Sequence, residues 1–144
     1  MTPRSLTISL HQPDDGDGLA RFKIEAENGR FACSTLVWGY AETFAELAGA
    51  IKGFPTSPSA SVEFQLGSAG VGQCSLSFVC LDGSGHSAVW VSVESEYPVR
   101  PTSQHQEASL CLRVEPSSVD SFHSELLALA SGSSTMAELH GSEP

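Results

Sequence analysis

Ala20-Arg-Phe-Lys-Ile-Glu-Ala-Glu27 runs directly into Asn28-Gly29 and then into Arg30-Phe-Ala-Cys-Ser-Thr-Leu-Val-Trp38. In the first run Ala20, Phe22, Ile24 and Ala26 alternate with Arg21, Lys23, Glu25 and Glu27. A period of two places the apolar set on one face of a strand and the charged set on the other. Asn-Gly suits a type I′ turn, in which both central residues take positive φ. The chain is therefore expected to reverse here and return as a strand from Arg30 to about Trp38. Upstream, Leu6, Ile8 and Leu10 alternate with Ser5, Thr7 and Ser9. The stretch between, His11 to Gly18, holds Pro13, Asp14, Asp15 and Asp17 and reads as a loop. Residues 5–38 thus predict a three-stranded antiparallel meander.

Downstream the period changes. Phe44, Leu47, Ala48 and Ile51 form the stripe of an amphipathic helix over residues 41–52. Gly53 can take the left-handed position after it, and Pro55 blocks its continuation. Val62, Phe64 and Leu66 mark a further strand, and Cys74, Leu76, Phe78 and Cys80 line another. Asp82-Gly-Ser-Gly85 signals a hairpin. In the returning strand Val89, Val91 and Val93 face one way, and Ala88 and Trp90 the other. Leu110, Leu112 and Val114 make the last strand. Val119, Phe122, Leu126 and Leu129 make a second helix, with Ser117 or Ser118 as its expected N-cap.

The fold class is therefore α+β: a mostly antiparallel sheet in the order βββα-ββββα, with two amphipathic helices on one face. The expected division is a single domain over residues 1–130 and a flexible Ser/Gly-rich tail over 131–144.

Composition narrows the function classes. The 144 residues carry 17 acidic and 7 basic side chains, a net charge of −10. The scattered Arg and Lys form no run, which argues against nucleic acid and against an anionic membrane surface. An acidic domain can instead steer toward a basic protein. No signal-like apolar run opens the chain and no segment is long enough to span a bilayer, so the cytoplasm is the expected compartment, with four reduced cysteines. Candidate steering groups are Asp14, Asp15, Asp17, Glu94 and Glu96.

Candidate chemistry is sparse. Asp82 and His86 flank a glycine turn and could form an acid–base pair, but no nucleophile stands at a recognisable spacing, so a turn-stabilising role is expected. Cys74, Cys80 and Cys111 with His86 lack the short ligand spacings of zinc sites, and Cys74 and Cys80, at alternating apolar positions, read as core thiols. No catalytic residue, cofactor or metal is expected. Trp38, Tyr40, Trp90 and Tyr97 could anchor an interface. Trp90 is expected to pack, and Trp38 suits either role.

Gly29 to Trp38, Phe44 to Ile51, Leu76-Ser-Phe78, Asp82-Gly-Ser-Gly-His86, Leu110-Cys-Leu112 and Phe122 to Leu129 together resemble a family of small bacterial proteins that includes immunity proteins of the wall-associated-protein type. The resemblance spans about residues 20–130. It implies a non-catalytic protein that occludes a contact-dependent toxin, and the acidic surface would suit a basic one. The competing expectations are a small enzyme using Asp82 and His86, or an orphan structural domain.

Overall fold

A computed structural model describes residues 4–99 and 102–143, with side chains outside 96–104. The alternation around Phe22 becomes a strand between two partners. β1 (Arg4–Gln12), β2 (Leu19–Asn28) and β3 (Ala32–Tyr40) pair in sequence, all antiparallel. α1 (Glu42–Ile51) follows, then β4 (Ser61–Ser68), β5 (Gly72–Cys80), β6 (Ser87–Val99) and β7 (Thr102–Val114) as a second antiparallel meander. α2 (Pro116–Ser131) and β8 (Met136–His140) close the chain.

The α+β class and the order βββα-ββββα are those the sequence indicates, with one strand added at the end. The strands divide into two four-stranded sheets, β3-β2-β1-β8 and β4-β5-β6-β7.

β8 replaces part of the expected tail. Its Ala137 and Leu139 alternate with the more exposed Met136, Glu138 and His140 and are fully buried. The strand adds to the free edge of β1, with Ile8 opposite Ala137 and Leu6 opposite Leu139. Gly132, at φ 81°, ends α2 in the left-handed conformation and lets the chain turn back.

Two local expectations are also corrected. Gly29 has φ 92°, but Asn28 keeps negative φ, so the turn is not type I′. Instead the Asn28 Oδ1 accepts from the N–H groups of Arg30 and Phe31 at 3.0 and 2.9 Å, and β3 starts at Ala32. The N-cap position of α2 is held not by Ser117 or Ser118 but by Glu115, whose side chain makes no capping hydrogen bond, with Pro116 in the first helical position, where its missing N–H costs nothing.

One apolar core joins the inner faces of both sheets to both helices. Phe44, Leu47, Ala48 and Ile51 of α1 and Val119, Phe122, Leu126 and Leu129 of α2 are buried. The helices pack on each other; α1 also touches β3 and β4, and α2 touches β8. Phe22 meets Phe44 edge-on with ring centroids 4.7 Å apart. Each fully buried Leu or Phe in such a core contributes about 1.5–3 kcal/mol relative to an exposed one.

β3, at the edge of the first sheet, approaches every strand of the second. Gly72 allows this contact, because a Cβ there would strike the carbonyl oxygen of Leu36. Among the described residues, two hydrogen bonds stitch the sheets together and a third ties the segment after β8 to β7. Asn28 Nδ2 donates to the Cys111 carbonyl at 2.9 Å, Thr35 Oγ1 to the Glu94 carbonyl at 3.0 Å, and the Ser142 N–H to the Arg113 carbonyl at 2.8 Å.

Candidate binding surface

The junction of the two sheets leaves an open groove of about 640 Å³. That is within the range of small-molecule and side-chain pockets. Its floor is made by core residues: Phe22 and Val37 from the first sheet, Phe44 from α1 and Leu66 from β4. Its rim carries exposed apolar side chains. Trp38, Tyr40 and Val71 are 38%, 51% and 60% exposed. Trp38 and Tyr40 fall on the outward-facing positions of β3, because Val37 must point inward to reach the core. The Arg21 guanidinium lies 5.3 Å from the centre of the Trp38 ring, a cation–π contact that holds the indole in place.

The acidic loop lies beside this rim. Gly18, at φ 84°, lies close enough to the Tyr40 ring that a Cβ would stand 3.4 Å from its Cδ1 atom. Asp14 Oδ2 accepts from the N–H groups of Gly16 and Gly18 at 3.2 and 3.1 Å, and Asp17 Oδ1 accepts from the N–H of Leu19 at 2.9 Å. These carboxylates shape their own loop, yet Asp14, Asp15 and Asp17 all remain exposed. The loop that carries these three negative charges thus reaches the groove through Gly18 and Leu19.

The other steering candidates lie elsewhere. Glu94, on β6, is half-buried and faces His105 and Glu107 of β7. The side chains of Glu96 and Tyr97 lie outside the described residues. Trp90 corrects its expectation: it is 49% exposed on the outer face of the second sheet. Its neighbours across the strands there are Ser77 and Cys111.

Asp82 and His86 do come together. The His86 Nδ1–H donates to Asp82 Oδ2 at 2.7 Å, while Asp82 Oδ1 accepts from the N–H groups of Ser84 and His86 at 2.8 and 3.2 Å. The bond from His86 holds the Asp82 carboxyl below its usual range. Both side chains are nearly half exposed, and the pair closes the hairpin turn. The nearby Cys80 thiol donates to the Asp82 main-chain carbonyl at 3.0 Å, so its proton points to the turn backbone and not to the imidazole.

All four cysteines are free thiols. Burial raises the pKa of Cys33 and Cys111, and pushes that of Cys74 up to about 12 with a smaller contribution from the charge of Cys33. A thiol so far from ionisation is a poor nucleophile and a poor metal ligand. Among the described residues, no helix is long and apolar enough to cross a membrane.

Sequence reasoning identified the acidic loop and the aromatic residues separately. It missed their adjacency, because Gly18 and Tyr40 meet only through the pairing of β2 with β3, where Leu19 stands opposite Tyr40. Comparison with protein-family models, curated proteins and solved structures finds no match to this chain.

Proposed function

We propose that this chain is a non-catalytic binding protein that docks a basic protein partner over the aromatic groove and the aspartate loop beside it. The observation that supports this reading most is the approach of Gly18 to the Tyr40 ring, which brings the loop carrying Asp14, Asp15 and Asp17 to the Trp38–Tyr40–Val71 rim. Interface energy concentrates in Trp and Tyr anchors set in desolvated pockets. Surrounding carboxylates add orientation and speed of encounter for a partner of opposite charge. The net charge of −10 extends the same preference to the whole surface.

An immunity protein would use such a surface to occlude a basic toxin in the cytoplasm. That role needs shape and charge, and no reacting group.

The test is binding to the product of the adjacent gene, by calorimetry and native mass spectrometry. A one-to-one complex is expected. Trp38→Ala should weaken it by at least about tenfold, as anchor truncation does, without moving the thermal midpoint by more than a surface substitution would. A complex indifferent to both Trp38→Ala and Tyr40→Ala would overturn the assignment of the groove.

A further inference from the structure

Glu94 stands directly opposite Glu107 across the β6–β7 ladder. Like charges in directly opposed positions destabilise a strand pair, and nothing about β pairing requires them. His105 lies two residues before Glu107, on the same face of β7. Its Nε2 is 3.5 Å from Glu94 Oε1 and 3.3 Å from Glu107 Oε2, and the three ligand-type atoms all lie within 4.8 Å of one another.

We infer that Glu94, His105 and Glu107 form a zinc-binding site that clamps β6 to β7. The spacing carries the inference. Zinc bonded to nitrogen and oxygen at about 2.0–2.2 Å in a tetrahedron separates neighbouring ligands by about 3.3–3.5 Å. Both imidazole–carboxylate distances fall there. His105 Nε2 and Glu107 Oε2 form a hydrogen bond at 3.3 Å, and both contacts already have the separation that a bridging ion would keep. The two carboxylate oxygens lie within 4.8 Å of each other, and a bound ion would draw them closer. One imidazole with two carboxylates suits a first-row divalent ion, whereas Mg²⁺ and Ca²⁺ take six or more oxygen ligands. Water would complete the fourth position.

The location gives the site a purpose. β5 pairs with β6 only as far as Ser95, opposite Gly72. Beyond it, among the described residues, β6 and β7 continue as a two-stranded ladder from Glu96–His105 to Val99–Thr102. An isolated two-stranded ribbon is marginal in water. The cluster sits at the root of this ribbon, and the Glu94 carbonyl is tied to the first sheet by Thr35. A bound cation would neutralise the opposed carboxylates and fix the ribbon to the body of the protein.

The experiment is titration of the full chain with zinc chloride, followed by calorimetry and by imidazole resonances in NMR. One Zn²⁺ per chain should bind in the micromolar range, shift the His105 ring signals and slow amide exchange around Gln106. His105→Ala and Glu107→Gln should each weaken binding by at least about tenfold. His86→Ala and His140→Ala, which remove the other imidazole–carboxylate pairs, should leave it unchanged. All four side chains are substantially exposed, and unaltered urea midpoints without metal will confirm that the variants fold. Failure of the chain to bind zinc at tens of micromolar, or binding that survives His105→Ala at full strength, would overturn the inference.

Discussion

Cys74 and Trp90 sit on neighbouring strands and show how one rule of alternation sets opposite fates. Cys74 shares the inward face of β5 with Leu76 and Phe78 and is fully buried. Lost hydration, then the charge of Cys33, lifts its pKa from the ordinary 9.0 to about 12. The folded state therefore holds its proton more tightly than the unfolded chain. Its contribution to stability is complete below about pH 9 and is lost as pH rises toward 12. The fall in urea midpoint between pH 9 and 11 should accordingly be smaller in Cys74→Ala than in the native sequence. Equal slopes would show that the thiol does not titrate with unfolding. Period-two alternation alone disclosed this burial. The same alternation puts Trp90 opposite to Val89 and Val91, and hence outward. The expectation that Trp90 packs gave its size priority over its register, and register prevailed. Asp82 and His86 were legible as a turn pair because four residues of a glycine turn bring their side chains together, and their geometry is that of a clip.

Elements were legible where the hydrophobic period was sustained, and blurred at their ends. α1 and the stripe of α2 emerged from spacing alone, since Phe44, Leu47 and Ile51 or Phe122, Leu126 and Leu129 can share a face only on a helix. Turn chemistry was less certain, because Asn28 accepts two backbone N–H groups through its side chain and so does not need the positive φ of a type I′ turn. β8 was missed because its five residues offer only Met136, Ala137 and Leu139 as apolar signal, without a clean alternation, and Ser131 to Ser134 reads locally as linker. What makes it a strand is the vacant edge of β1, a partner far away in the chain, where Ser5 pairs with His140 and Ser9 with Met136, and invisible to any local window. Leu139 tests this element. It is fully buried, so Leu139→Ala should cost about 2–5 kcal/mol, measured by urea unfolding. A loss below about 0.5 kcal/mol, typical of surface sites, would mean that β8 does not share the core.

At the scale of the whole molecule, local patterning could not divide eight strands between two sheets. That division is made by contacts far apart in sequence: Gly72 under Leu36, Thr35 on Glu94, Asn28 on Cys111. The same junction creates the groove and brings the aspartate loop to its rim, which is why the proposed binding surface was visible only as scattered parts. Its two components should separate kinetically. Long-range charge governs encounter and is screened over about 8–10 Å near physiological ionic strength. Buried anchors govern departure. Neutralising the loop calls for asparagine at positions 14, 15 and 17, because Asp14 and Asp17 also accept backbone N–H groups that an amide oxygen can still satisfy. This triple substitution should slow association with a basic partner and flatten its dependence on salt, while leaving dissociation and the thermal midpoint nearly unchanged. Trp38→Ala should do the reverse, speeding dissociation with little effect on association. Surface plasmon resonance across a salt series separates the two. Association that is insensitive to salt in the native protein would remove charge from the recognition and leave the aromatic rim to account for it alone.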